Sequence, residues 1–476
     1  MTAEAAKQQS EGKSGDLSLG ALSWSLFEGA RNPYVILVTI YIFAPYIAST
    51  VVGDSVRGQE VISNYAQFAG WIVMATAPFL GAAVDELGKR KRWLALIVGI
   101  MCPLMATLWW LRPDGTGLSL GAAMLLIMII NVLFPYTEVL HNSLLVRAAG
   151  LRNAHKASGL ALALGNLFAV FALAFTAYAF ALPGKVDWGW VPREPLFGLD
   201  PAKHEPERIV APLAAVIFAI GALPLFLFTP DAEAKGVSLP KAFADGAANI
   251  ARMLRTIRGY RDAAIYLVSR MFFVDGMTAI LFYYGIFASG VMHWGPLELL
   301  ANGIILSVLA VLGGFVGRWM DGAFGPKWSL VISVGMSMLG ILALLGMTPT
   351  QILYLWPYDP AAHAPLWNGP VFRTLPDVVF ILIGFSNAVF ITAQYASART
   401  MLTRLTPPAQ TGAFFGIYAL SGTATIWLGS TTVNLGTRIF HSLQGGFGTI
   451  AVLLGIGFVG LLFVRGGGAW RETDHT

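Results

Sequence analysis

A chain of 476 residues that is 56% hydrophobic and only 12% charged cannot cover a soluble domain, because soluble domains run near ~45–50% apolar and ~25% charged. Its formal net charge of +5 collects in short gaps between apolar runs, not along a stripe with stacking aromatics, so a nucleic-acid partner is excluded. Cys102 is the single cysteine and lies within an apolar run, which excludes an intrachain disulfide, a thiolate metal cluster and a redox pair.

Residues 1–20 are polar and lack an apolar h-region, and read as a disordered cytoplasmic tail rather than a cleavable signal. A membrane helix needs roughly 20 mostly apolar residues. That ruler gives about twelve spans: 21–50, 60–86, 91–112, 117–147, 156–182, 209–229, 262–290, 295–323, 327–347, 377–404, 409–436 and 443–464. The expected fold is an all-α integral membrane bundle. Pro33, Pro45, Pro78, Pro103 and Pro135 fall inside spans, where neighbouring helices can satisfy the backbone groups they free. With the N-terminus inside, the inner connections hold about 19 Lys and Arg against about 8 on the outer ones. This bias puts both termini in the cytoplasm, in a bacterial-type inner membrane.

Residues 183–208 and 348–376 are long outward loops rich in Trp, Pro and Gly, expected to lie over the mouth of the bundle. The central inner connection, 230–261, carries Phe243, Ile250, Leu254 and Ile257 near one helical face, with Arg252, Arg255 and Arg258 elsewhere. That pattern reads as an interfacial amphipathic helix on anionic lipid; a calmodulin-type target is the alternative.

Two phrases echo each other half a chain apart. Gly81-x-x-x-Asp85-x-x-Gly88 answers Gly317-x-x-x-Asp321-x-x-x-Gly325, Phe27-Glu28-Gly29 answers Val274-Asp275-Gly276, and Arg147 answers Arg404. The chain therefore divides into residues 21–229 and 262–464, two six-helix pseudo-repeats, with 465–476 a cytoplasmic tail. Such repeats mark secondary transporters that hold substrate near the midplane between halves. The stretch Gly81–Trp93 resembles the loop between helices two and three of the major facilitator superfamily. The resemblance implies a cytoplasmic latch in which Asp85, with Arg90 beside it, meets the start of helix eleven near Gln410. Gly81 would allow close helix approach and Gly88 a turn at φ > 0, and Asp321 is the weaker counterpart in the second half. Lys89 to Arg92 serve equally as topology determinants.

SLFEGARNPY (Ser25–Tyr34) and AQYASARTMLTRLTPPAQTGAFFGIYALSGTATIWLGS (Ala393–Ser430) resemble the vacuole-effluxer-like branch of that superfamily. Two features depart from the pattern: Ala398 stands before Arg399 where serine is usual, and the second basic loop is reduced to Lys327. Membership implies export of a small solute by alternating access, with amino acids the leading class. A drug cation or an anion remains open. So does a non-transporting sensor or assembly factor on the same fold.

Ionisable groups inside a membrane helix cost at least ~2.5–3.5 kcal/mol and point to function. Here they are Glu28 and Arg31 in helix one, Glu138 and His141 in helix four, Arg270 and Asp275 in helix seven, and Arg399 in helix ten. In the superfamily these four helices line the central cavity. Arg31 with Glu138, and Asp275 with Arg399, are candidate pairs between helices. Glu28 with Arg31 and Glu138 with His141 share a helix face at i, i+3. A buried carboxylate whose partner moves away takes a proton more readily, so Glu28, Glu138 or Asp275 is the expected proton carrier, powered by a proton or other ion gradient. Charge neutralisation that only fixes packing is the competing role. Arg399 could bind a substrate carboxylate, and Asn387 and Gln394 could orient a polar ligand. No phosphate loop or HExxH spacing occurs; neither cofactor nor metal is expected, and the chain does not read as an enzyme.

Overall fold

The computed structural model describes residues 17–87, 89–231, 259–406 and 425–465, with positions 241, 244, 248, 251, 252, 255, 257, 414, 417, 418, 421 and 422 between them. The side chains at 78, 81–87, 151, 152 and 155 lie outside that description.

Helix α1 (Leu19–Val51) starts at Ser18, whose hydroxyl accepts from the Ala21 amide at 3.1 Å. Pro33 removes one N–H and crowds the preceding turn, and α1 continues beyond it as π-helix over Tyr34–Tyr41 and again over Ile47–Val51. Then follow α2 (Ser55–Leu87), α3 (Arg90–Thr107), α4 (Leu120–Gly150), α5 (Lys156–Ala181) and α6 (Glu205–Phe228). The second set is α7 (Arg261–Val291), the bent rod Pro296–Leu345, α10 (Leu375–Leu405), α11, which ends as Leu428–Phe440, and α12 (Leu443–Leu462). Gly325, at φ 79 and ψ 158, divides the rod into α8 (296–324) and α9 (326–345). The described residues thus carry twelve helical segments; nine helices, counting the bent rod as one, are long and apolar enough to cross a membrane.

The two glycine bends fall at the end of the bundle that also carries Leu19, here termed proximal. Gly150 takes φ 70 and ψ 159 between α4 and α5, and Gly325 nearly repeats it. At the expected turn between α2 and α3 the positive φ falls on Lys89, at 46°; Gly88 lies outside the described residues.

Within the first set α1 packs against α4, α5 and α6, and α3 against α4 and α6; within the second α7 packs against α12, and α8 and α9 against α10. Apolar side chains fill these seams, while Leu227, Phe315 and Trp319, each more than 60% exposed, point outward as lipid-facing residues must. The two sets meet along α2 with α11, α5 with α8, and α1 with α7. The closest described contacts between them lie toward the distal end. A Cβ on Gly285 of α7 would overlap the Ile40 carbonyl of α1. In the same layer the Gln59 amide donates to the Thr437 hydroxyl at 2.7 Å, and the Asn434 amide donates to the Glu60 carbonyl at 3.0 Å.

The loop 183–208 is tied to α3 by Arg208, which donates twice to the Trp109 carbonyl (2.6 and 2.9 Å) and lies 4.5 Å over its ring. The second long loop contains a small antiparallel hairpin, Gln351–Ile352 with Trp356–Pro357. In the central connection, described positions 241, 244, 248, 251, 252, 255 and 257 are helical; Arg252 and Arg255 are exposed and Ile257 packs on the core. Phe243, Ile250, Leu254 and Arg258 lie outside the described residues.

Candidate functional site

Helices α1 and α4 bring four ionisable side chains together. The Arg31 Nη2 donates to the Glu138 carboxylate at 3.1 Å, and its Nη1 stands 3.6 Å from Glu28. The guanidinium is 6% exposed and lies 4.5 Å over the Phe134 ring, whereas the Glu28 and Glu138 side chains are 35% and 56% exposed. The cation therefore sits behind two carboxylates that face open space. The expected pair between α1 and α4 is formed, and so is the local pair of Glu28 with Arg31.

His141 does not pair with Glu138, its i−3 neighbour. It turns into α1, where its ring stacks on Trp24 at 4.2 Å and its Nε2 bonds the Trp24 carbonyl at 2.8 Å. Trp24 Nε1 returns a bond to the His141 carbonyl at 2.7 Å. A carbonyl only accepts, so Nε2 carries the hydrogen. Nδ1 then points at the Glu28 Oε2, 3.6 Å away, and has no hydrogen-bond partner although it is buried. Two acceptors face each other there, with room for one proton. Asn32 fixes the neighbouring turn of α1 by donating to the Gly165 carbonyl of α5 at 2.7 Å.

In the other half, Tyr395 on α10, 46% exposed, lies within electrostatic range of Glu138. Sequence reasoning missed both Trp24 and Tyr395. Aromatics in membrane helices usually pack, and neither carries a charge to mark it.

In the second set the geometry departs from expectation. Asp275 does not pair with Arg399. It is buried and accepts from the Gly429 amide at 2.5 Å, while Arg399 is exposed. Height along the bundle explains this. Asp275 lies fourteen residues into α7 and Arg399 only six from the proximal end of α10, which puts them roughly 12 Å apart along the axis at 1.5 Å per residue. Gly429 stands at the start of Leu428–Phe440, where α11 resumes after a turn at 425–427. The first amides of a helix lack intrahelical partners and carry positive dipole charge, so Asp275 caps a broken helix. A Cβ on Gly429 would come within 2.9 Å of Ala279. Arg270, one face away, donates to the Tyr418 carbonyl (2.8 Å) and the Ser421 hydroxyl (2.6 Å), tying α7 to the preceding part of α11.

Asn387 and Gln394 turn into their own half, against α9. Gln394 donates to Ser337 Oγ at 2.7 Å and to the Ser333 carbonyl on α9. Asn387 is buried against Gly340 of α9 with both polar atoms unpartnered. Asp321 accepts from Ser397 at 2.6 Å; with Gly313 and Gly317 meeting Val389 and Ala393, this gives a ridge of every fourth residue on α8 against α10. Its described partner is thus within its own half. Arg90 likewise donates to the Ser143 carbonyl of α4, and Lys91 to the Thr229 carbonyl at 2.7 Å, so this part of the basic cluster secures helices of one half. Gly81 falls in the helical part of α2, while the Asp85 side chain and Gly88, the centre of the expected latch, lie outside the described residues.

Two six-helix sets, each with ionisable side chains on its own α1/α4 or α7/α11 seam, are the arrangement of the major facilitator fold. Solved structures agree. A mutant of the nucleoside transporter NupG superposes with a TM-score of 0.62 at 13% identity, covering 94% of this chain and 98% of that one. A D-xylose-proton symporter gives 0.62 at 11% identity, covering 96% and 98%. The major facilitator superfamily transporter FucP, in an outward conformation, gives 0.54 at 15% identity, covering 94% and 98%. The family profile described as "Vacuole effluxer Atg22 like" matches residues 68–473, and the chain belongs to that family. No curated protein matches it significantly. The chain is an integral membrane transporter, not an enzyme.

Proposed function

We propose that the protein moves a small solute, an amino acid or a similar metabolite, across the membrane by proton-coupled alternating access, with residues 1–229 rocking against 262–476. The observation that carries the reading is the His141 Nδ1 facing Glu28 Oε2 at 3.6 Å without a donor. One proton held between these atoms changes the charge of a group whose other partner, Arg31, also holds Glu138. Protonation of Glu28 frees Arg31 to bind Glu138 more tightly. Loss of that proton draws the guanidinium back. A substrate ammonium competing for Glu138 would act on the same balance.

The distal position of the contacts between the halves supports assigning this conformation to the inward-facing state, if both termini are cytoplasmic as the basic residues suggest. The same charge bias is the ground for proposing a bacterial-type inner membrane. Two solved relatives in fold are described as proton symporters, which fits a proton as the coupling ion.

The test is purified protein in liposomes with an imposed pH gradient and a trapped pH-sensitive dye. An amino-acid panel should include at least one member that both accumulates and moves protons. Accumulation with no proton movement would defeat the coupling. No accumulation of any amino acid or related amine would defeat the substrate class.

A further inference from the structure

A groove of about 510 Å³ runs along the seam between α5 and α8 at the distal end. Phe171, Ala174, Phe175 and Tyr178 form one wall, Ile304 of α8 the other, and Trp190 of the 183–208 loop closes the end. The spacing of 171, 175 and 178 places three rings on one face of α5, and the small Ala174 beside them makes the trough. Ala177 and Tyr178 of this wall belong to the π-helical turn Ala177–Ala181, a widened turn often found at functional positions. The lid is a stack: Trp190 lies nearly parallel to Tyr178 with centroids 6.1 Å apart, and Trp188 lies 5.4 Å from Trp190.

Phe171 and Phe175 are 64% and 40% exposed, and the surface continues past them over the exposed Leu167 on α5 and Val308 and Val311 on α8. These spans face acyl chains, so the groove opens directly onto the bilayer. We infer that it is a resident lipid site, holding one acyl chain of a bilayer phospholipid. Its size falls within the ~300–1,000 Å³ of ordinary ligand sites. Apart from the Tyr178 hydroxyl and the Trp190 indole N–H at one end, the lining side chains offer a polar ligand no hydrogen-bond partner, and desolvating it would oppose binding. Tyr and Trp at the closed end suit the depth where chains meet headgroups.

The walls belong to different halves, so rocking opens or distorts the groove. A chain seated there favours the distally closed arrangement by its difference in affinity for the two states. The site thus differs from the central one and does not depend on the transported solute.

The experiment uses the full chain in nanodiscs containing a phosphatidylcholine with a diazirine near the end of one acyl chain. After illumination, labelled peptides are mapped by mass spectrometry. Labelling at Phe171–Tyr178 and around Ile304 should exceed that at Leu227 and Phe315, open lipid-facing positions at 70% and 69% exposure, by severalfold. Ala174→Trp, or Ile304→Trp from the opposite wall, should remove the excess and leave Leu227 and Phe315 labelled as before. Equal labelling at all these positions in the wild type means ordinary boundary lipid and overturns the proposal. So does an excess that both filled variants keep. If either variant fails to insert, the wild-type ratio alone decides.

Discussion

The buried Nδ1 of His141 and the Glu28 Oε2 stand 3.6 Å apart as two acceptors, the ring held by its bond to the Trp24 carbonyl and the carboxylate 3.6 Å from the Arg31 guanidinium. His141 cannot rotate to relieve the opposition, because Trp24 stacks on its ring and bonds its other nitrogen. A proton between them is the simplest resolution. Glu28→Gln replaces the acceptor by an amide that can donate to Nδ1 permanently. It should abolish uphill accumulation driven by a pH gradient, by about tenfold or more if the lost interaction is worth roughly 1.4 kcal/mol or more. Exchange of labelled for unlabelled solute at equal pH should continue. Equal loss of exchange and accumulation would show that Glu28 only binds or packs.

Arg31 carries both carboxylates. Arg31→Leu would leave Glu28 and Glu138 as neighbouring like charges and discard the contact with Phe134. Breaking a fully buried pair costs ~3–5 kcal/mol, but Glu138 is 56% exposed; a loss of about 1–3 kcal/mol follows once solvent screening is included. Arg31→Lys keeps the charge yet loses the planar fork that reaches both partners, and should fall between. Melting temperature by tryptophan fluorescence in detergent reads the order: wild type, then lysine, then leucine.

Asp275 and Gly429 make a separable prediction. In Asp275→Asn the amide oxygen still accepts from the Gly429 N–H, so the break in α11 stays capped and melting changes little. Asp275→Leu leaves that amide buried without a partner, at a cost of about 1–3 kcal/mol, and α11 should loosen where it resumes. Hydrogen exchange over Leu428–Thr432 distinguishes the two: near wild-type protection in Asp275→Asn and faster exchange in Asp275→Leu. Similar exchange in both would mean that the carboxylate is not the cap.

How far the sequence disclosed this arrangement follows from what each inference needed. Span lengths and the repeated glycine phrase require only composition and order, and the twelve segments and the bend at Gly325 followed from them. Arg31 with Glu138 required that both lie mid-helix on spans one and four, which the superfamily resemblance sets around the same cavity. Asp275 with Arg399 failed because matching charges ignores height, and the two differ by several turns. Gln394 and Asn387 were placed on the cavity because α10 lines it, yet which face of a helix turns inward depends on rotation. Apolar residues are spread around all sides of α10, so their periodicity gives no direction. Gly429 was visible only as part of the phrase Leu428-Gly429-Ser430; nothing local says that α11 breaks before it.

The distal closure rests on small residues where α1 meets α7. A Cβ on Gly285 would overlap the Ile40 carbonyl, and one on Gly303 of α8 would come within 2.9 Å of the Tyr41 ring. Both contacts cross between the halves, so enlarging either residue penalises the closed distal end without touching the packing inside one half. Overpacking of this kind costs ~1–3 kcal/mol. Because that cost falls on one state only, it shifts the equilibrium between states by the full amount, which is about five- to 150-fold for such an energy. In a Cys102→Ser background, a cysteine at Asn434, buried where α11 meets α2, reports the change. Gly285→Ala should raise its reaction rate with a membrane-impermeant maleimide applied from the distal side, and the Gly303→Ala variant should do so less. Unchanged reactivity in Gly285→Ala, with transport intact, would show that the distal end yields elsewhere and that Ile40 is not its point of closure.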